Sequence, residues 1–352
     1  VSRRPAPHRS QRGATLIELM VALVLGLIVS GAALSLFIAN RQTYLATESL
    51  GRLQDNGATA FELMARDVRE AAGNPCDASD DVVNVLKTPT AAWYTDFGDG
   101  IRGYGGTQAM SGLAIGTAAG QRVSGTDAIE LKLAADGVNI VNHVPASATF
   151  TVNVKSHDLH PGDIAMACDF NHAAIFQVTN AQPGINTTIV HNTGGSTSPG
   201  NCSKGLGSPL LCTTTGTSYE FGCKFGGQDP LIDCTLADNR WTATIAKVHA
   251  TRWYVGHNAR GGTSLYQSVV RNNAGSLVVD NDEVAENVSG MTLQYLVRDA
   301  GSYVAAASVT DWSKVVAVKV QLAMSVDMTL GTHGTPLRRT IAHVVALRSR
   351  AQ

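Results

Sequence analysis

Gly13-Ala14-Thr15-Leu16-Ile17-Glu18-Leu19-Met20 opens a stretch that stays apolar to about Ala39, with the single carboxylate of Glu18 near its start. Arg3, Arg4, Arg9 and Arg12 precede it, with no acidic residue among them. A run of this length can cross a bilayer as a helix. Arginines on its N-terminal side hold that end in the cytoplasm and place the residues beyond the run outside. A secretory signal has a shorter apolar core with a small-residue cleavage site after it. Here Gly13 lies before the run, so cleavage there would remove the basic leader and keep the hydrophobic helix. A carboxylate in hydrocarbon needs a partner. The α-ammonium that cleavage would create on Ala14 lies about one turn from Glu18 in the same helix, and it can also meet Glu18 of a staggered neighbour.

These residues resemble the type IV prepilin signal, in which a glycine precedes a mature segment with glutamate at its fifth position. The resemblance implies cleavage after Gly13 and N-methylation of Ala14 by a prepilin peptidase and N-methyltransferase. It also implies burial of the apolar helix in a filament core, with Glu18 setting register. The family usually has phenylalanine where this chain has Ala14, which bears on methylation more than on cleavage.

Beyond the apolar run the helix pattern continues. Ala46, Leu50, Leu53, Gly57, Phe61, Met64, Val68 and Ala71 recur at steps of three or four, one apolar stripe. Arg41, Glu48, Arg52, Asp55, Glu62, Arg66, Arg69 and Glu70 take the other face. Gly73-Asn74-Pro75 stops it. A helix over 14–72 would be about 88 Å long. The expected organisation is a leader at 1–13, a membrane-spanning part at 14–39, an amphipathic part at 40–72 and a β-rich domain at 73–352.

Residues 77–126 are rich in Gly, Thr and Asp and predict at most short strands. Strands are expected at 127–133, 138–144, 149–155, 163–168 and 173–179, then at 242–249, 251–255, 265–270, 291–298 and 339–348. Val316, Val318, Val320, Leu322, Met324 and Val326 alternate with Lys319, Gln321 and Ser325, which predicts a half-buried antiparallel strand that seats the helix stripe. The fold class is therefore α+β: a long N-terminal helix on an antiparallel sheet domain with a disulfide-bearing loop region.

The chain holds 352 residues, 16% charged and 6% aromatic, with 35 glycines. Loss of residues 1–13 takes the net charge from −1 to −5. That balance argues against nucleic acid as a partner. An even set of cysteines, Cys76, Cys168, Cys202, Cys212, Cys223 and Cys234, in an exported domain reads as disulfides. Four of them fall in a Gly/Ser/Thr/Asn-rich block at 183–240, spaced without any Cys-x-x-Cys pair, which argues against zinc. Six cysteines allow fifteen pairings; local pairing joins Cys202 to Cys212 and Cys223 to Cys234, leaving Cys76 with Cys168.

No metalloprotease, hydrolase-elbow or phosphate-loop motif is present, and no cofactor or catalytic residue is expected. Asp96-Phe97-Gly98 matches a kinase tripeptide with no other kinase element beside it. Acidic clusters at Asp77/Asp80/Asp81, Asp96/Asp99 and Asp280/Asp282/Glu283 fit turn chemistry, the last being the best of them for calcium. Trp241, Trp253, Tyr254 and Trp312 read as core or interface.

The stretches 162–168, 174–178, 251–255, 284–288 with Gln294-Tyr295, and 346–350 resemble, in order and spacing, the PilW group of minor pilins, which are similar to the J-type pseudopilins of type II secretion. The resemblance implies a non-catalytic minor pilin that primes assembly of a type IV pilus and sits near its tip. Implied partners are other minor pilins, the major pilin, the inner-membrane assembly platform, membrane lipid and a large tip adhesin. It implies an inner-membrane protein with a periplasmic domain that passes into the pilus. Two alternatives remain open: a J-type pseudopilin, or an adhesive or DNA-uptake module carried by the 183–240 block.

Overall fold

A computed structural model describes residue 13 and residues 15–75, 82–98, 100–169, 172–222, 243–326 and 336–350. The chain falls into two units, residues 1–52 with 326–337 and residues 53–325 with 338–352. One helix, α1 (Leu16–Glu70), contributes to both.

In the first unit, α1 carries a largely apolar surface on every side. Leu16, Ile17, Leu23, Leu27, Ile28, Val29, Leu36 and Phe37 are all exposed, and this is a helix long and apolar enough to cross a membrane. Three of its hydroxyls fold back on the helix. Ser35 Oγ donates to the Ala32 carbonyl (2.8 Å), and Thr43 and Thr47 donate to Ala39 and Thr43, so these three do not depend on water.

The second unit is built on strands. Among the described residues they are β1 (Val82–Asn84), β2 (Ile101–Tyr104), β3 (Ala128–Val144), β4 (Thr149–Val152), β5 (Ile164–Cys168), β6 (Ala173–Gln177), β7 (Asn180–Ala181), β8 (Thr188–Val190), β9 (Thr244–His257), β10 (Thr263–Asn273), β11 (Ser276–Glu286), β12 (Val288–Val297), β13 (Val315–Val326) and β14 (Leu337–Ala346). The larger sheet runs β1-β6-β5-β9-β3-β4-β8-β7, with β10 on β9, β11 on β10 and β2 on β3. The smaller runs β12-β13-β14. The registered pairs are antiparallel except β1 with β6.

Two long strands form the spine. β3 pairs with β9 from Ala128↔Tyr254 to Asn139↔Thr244. Each was expected as two short strands. In β3 the break is a bulge: the register shifts between Ala135 and Val138, and Asp136 takes φ 57°, so the strand bends without ending. β11 was not expected at all. Its acids carry no apolar alternation; it is held by pairing with β10 through a turn in which Ala274 and Gly275 both have positive φ.

The two faces of β9 are covered differently. Ile245, Phe176, Phe150, Leu206 and Phe221 share one apolar cluster; Ala246, Met166, Ile175 and Leu86 form another. The 183–222 segment belongs to the first cluster and is no loose insertion. Buried Asn201 donates to the Gln177, His191 and Asn192 carbonyls and accepts from Gln177 N–H (2.7 Å). Gln177 in turn donates to Gly162 and Ser198 and accepts from Gly200. A buried amide pair satisfied on all sides specifies one geometry. Cys202 and Cys212 are disulfide-bonded, and Cys168 is also in a disulfide. Cys76, Cys223 and Cys234, and with them the other two expected pairings, lie outside the described residues.

Candidate functional site: the helix and the sheet that seats it

The N-terminus of α1 is a reciprocal cap. Glu18 N–H donates to Thr15 Oγ1 (3.3 Å), and Glu18 Oε2 accepts from Thr15 N–H (3.2 Å) and its hydroxyl. Thr-x-x-Glu is a capping-box pattern, so two N–H groups that no helical carbonyl can reach are satisfied. Glu18 thus has a partner inside its own chain. Ala14, its expected ammonium partner, lies outside the described residues.

Further along, the stripe is seated. Leu53, Gly57, Ala60, Met64, Ala65 and Val68 are buried, and Ala71 is fully covered. Phe61, placed in the stripe by spacing, is only half-buried and packs at a tilt against His343, ring centroids 4.6 Å apart, while Leu50 is exposed. Gly57 lets the helix sit close: a Cβ there would come within 2.5 Å of both Met324 Sδ and Ile341 Cδ1, so both side-chain ends would have to shift. One turn before the end, the half-buried Asp67 accepts from Trp253 Nε1 (2.8 Å) and Gln267 Nε2 (2.7 Å). Burial pushes its carboxyl above the usual range, and the two donors pull back against it.

The helix terminates against the sheet. Ala72 takes the left-handed conformation (φ 57°), its N–H donates to the Lys132 carbonyl, and Ala134 N–H donates to the Gly73 carbonyl. Ser349 Oγ donates to the Ala71 carbonyl, tying the last described turn of the chain to the helix end. Asn74 Oδ1 lies 3.4 Å from Cys168 Sγ.

Behind the seat lies a buried ion pair. Glu130 and Arg252 face each other across β3 and β9. Arg252 Nε and Nη2 both donate to Glu130 Oε1 (2.9 and 2.7 Å), and its guanidinium lies 4.1 Å from the Trp93 ring. Lys132 Nζ approaches Glu130 at 3.9 Å. A second buried guanidinium, Arg122, donates to the carbonyls of Tyr104, Gly105, Gln108 and Thr126 and so knots the irregular segment before β3. Asp127 accepts from Leu293 N–H (2.8 Å), joining β12 to the start of β3. Burial raises its carboxyl too.

On β13 the alternation holds from Val318 to Met324, but Val316 is off the buried face. The register shifts between Leu296 and Val297, so Val315 and Ala317 are buried instead. Trp253 is fully buried, Tyr254 stacks on Tyr266 at 5.4 Å, and Trp312 packs edge-on against Tyr295; Trp241 lies outside the described residues. The calcium candidates Asp280, Asp282 and Glu283 are answered by cations. Arg271 pairs with Asp280 (2.8 Å) and Asp282 (3.3 Å), and Arg260 pairs with Glu283 and Glu286. No group of three metal-ligating side chains converges among the described residues.

Spacing also gave no hint of the pairing of His143 with His191. Both are buried, with Nε2 atoms 3.1 Å apart, ringed by Phe150, Phe176 and Phe221.

Compared with known families, residues 8–34 match the prokaryotic N-terminal methylation motif. Residues 252–345 match the family described as Type IV Pilus-assembly protein W. Together the two matches support a PilW-like type IV minor pilin. The PilW match runs from the second half of β9 to the end of β14, and it holds Trp253, Gln267, Met324 and Ile341, the residues that seat the helix. The stretches 162–168 and 174–178 fall outside it. Neither curated proteins nor solved structures gave a significant match. The prepilin motif and the apolar helix together support membrane anchoring and membership of a pilus.

Proposed function

We propose that this PilW-like chain is a structural, non-catalytic subunit, cleaved after Gly13 and methylated on Ala14, that helps to prime a type IV pilus and stays near its tip. One observation carries the reading. A single unbroken helix changes character along its length: its first part exposes apolar side chains on every side, whereas residues 53–71 are seated on the domain. A surface of the first kind is stable only in lipid or among similar helices.

In this reading the leader keeps the N-terminus cytoplasmic, and the domain lies in the periplasm before assembly. The partners are other minor pilins and the major pilin. Glu18 serves twice. In the lone subunit it caps its own helix through Thr15. In the filament it exchanges that neutral partner for the ammonium of a neighbour's Ala14, a charge-assisted contact about twice as strong. The test is Glu18→Ala, scored for leader removal, membrane insertion and recovery in sheared pili. The expected outcome is normal processing and insertion with recovery reduced at least about tenfold, the equivalent of about 1.4 kcal/mol. Undiminished recovery would refute the register role.

A further inference from the structure

β9 has a gap in its pairing. On the side away from β3, residues 244–247 pair with β5 and residues 251–257 pair with β10. Val248, His249 and Ala250 lie between, and among the described residues no strand pairs with them on that side. Their direction can be worked out. Lys132 N–H donates to the Gly100 carbonyl, its C=O accepts from Ala72, and Ala134 N–H donates to Gly73. Both β3 residues therefore turn away from β9, and their partners Ala250 and Val248 face the gap. The Lys247↔Ala165 and Thr251↔Val269 pairs engage Val248 N–H and Ala250 C=O, so the Val248 carbonyl and the Ala250 N–H are the groups left open. Buried main-chain groups are almost always paired.

The gap opens into a cavity of about 840 Å³, within the size range of small-ligand sites. Its far end is shut. Asn272 Nδ2 donates to the Pro161 carbonyl (2.8 Å) and to Asp163 Oδ1 (2.9 Å), and Gly162 abuts the backbone of Gly275 so closely that a Cβ would meet it at 2.5 Å. A chain can enter beside β9 but cannot run through. Val248 and Ala250 alternate with Lys247 and His249, so the lining is apolar on one side, with Ile164 and Leu277, and polar on the other, where Lys247 carries the positive charge and burial and Lys247 hold the His249 imidazole toward its neutral form. Lys247 Nζ bonds Asp163 Oδ2 at 2.9 Å and keeps two N–H donors for another acceptor.

We propose that this cavity captures the C-terminal end of a neighbouring pilin subunit: its last residue pairs with the main chain of Val248 and Ala250, and its terminal carboxylate lies on Lys247. Main-chain groups select a peptide, the closed end selects a terminus, and the ammonium selects the free carboxylate. The proposal rests on the minor-pilin reading only for the source of the neighbour.

The test places the photo-crosslinking residue p-benzoylphenylalanine at Leu277 in the full-length chain, in cells assembling pili, and maps the cross-linked peptide by mass spectrometry. The expected product joins Leu277 to the last few residues of another subunit. Lys247→Met should lower its yield about tenfold, and Lys247→Arg should restore it. Cross-links to internal segments, to this chain alone or to nothing would overturn the proposal, as would a yield unchanged in Lys247→Met. Recovery of the protein in sheared pili is scored in the same cells. Its absence from pili beside a terminal cross-link would refute the pilus reading and leave the capture site standing; the converse would do the reverse.

Discussion

Acidification should loosen the domain through the His143–His191 pair, and the hydrogen bonds fix how. Phe221 N–H donates to His143 Nδ1 at 3.2 Å, so Nδ1 bears no proton. His143 must then carry its proton on Nε2 and donate it to His191 Nε2 at 3.1 Å, leaving the His191 proton on Nδ1. Charging either ring breaks this chain. Burial accordingly holds His143 down, from 6.5 to about 4. Burial and the neighbouring His143 push His191 the same way. A folded-state value below the unfolded one means that the unfolded chain binds the proton first. The pair therefore stabilises fully above about pH 6.5, and its contribution is lost as pH falls from there toward 4. For His143 alone, the fall from 6.5 to about 4 is worth about 3 kcal/mol; His191 adds in the same sense.

The assay is thermal unfolding followed by circular dichroism across that range, for wild type and His143→Asn. Asparagine Oδ1 can still accept from Phe221 but does not titrate. The variant should be less stable at neutral pH by about 1–3 kcal/mol, because His191 loses its donor, and the gap should close toward pH 4. Taking the difference cancels groups common to both proteins. These include Asp67 and Asp127, whose raised values act in the opposite direction, stability recovering as pH falls through them. Parallel pH profiles for the two proteins would refute the argument.

Two further substitutions probe the helix seat. Gly57→Leu must displace Met324 and Ile341 and should cost about 1–3 kcal/mol, read as a lower melting midpoint and faster proteolysis after Arg66 or Arg69. Arg252→Met leaves Glu130 buried without its strongest partner and should cost about 3–5 kcal/mol, while Arg252→Met with Glu130→Leu should recover most of that loss. Equal melting of the single and double variants would show that the pair is not coupled.

The helix was the most legible part of the sequence, because an apolar run and a stripe of period three to four are local signals. Thr15 and Glu18 form a local motif as well, readable from spacing alone as a cap. What spacing could not supply was anything decided across the sheet. Val316 alternates correctly with Val318 in the sequence, but a register shift opposite Val297 turns it off the buried face. β11 exists because Arg260, Arg271 and the Ala274-Gly275 turn hold an acidic segment against β10. The Asp67–Trp253–Gln267 contact joins residues about two hundred positions apart, and His143 meets His191 only once β3, β4 and β8 have folded. The 183–222 block reads as loop by composition, yet Asn201 and Phe221 are core residues. Their roles depend on Gln177 and His143, which no local pattern connects to them.

A pilin subunit is defined by the first residue of its mature chain. Intact-mass and N-terminal peptide measurement on protein purified from pilus-assembling cells tests that residue most directly. The expected result is a chain that begins at Ala14, carries an N-methyl group and retains Leu16 to Phe37 in full. A mature protein that begins after the apolar run, or that keeps Arg12 and Gly13, would contradict it.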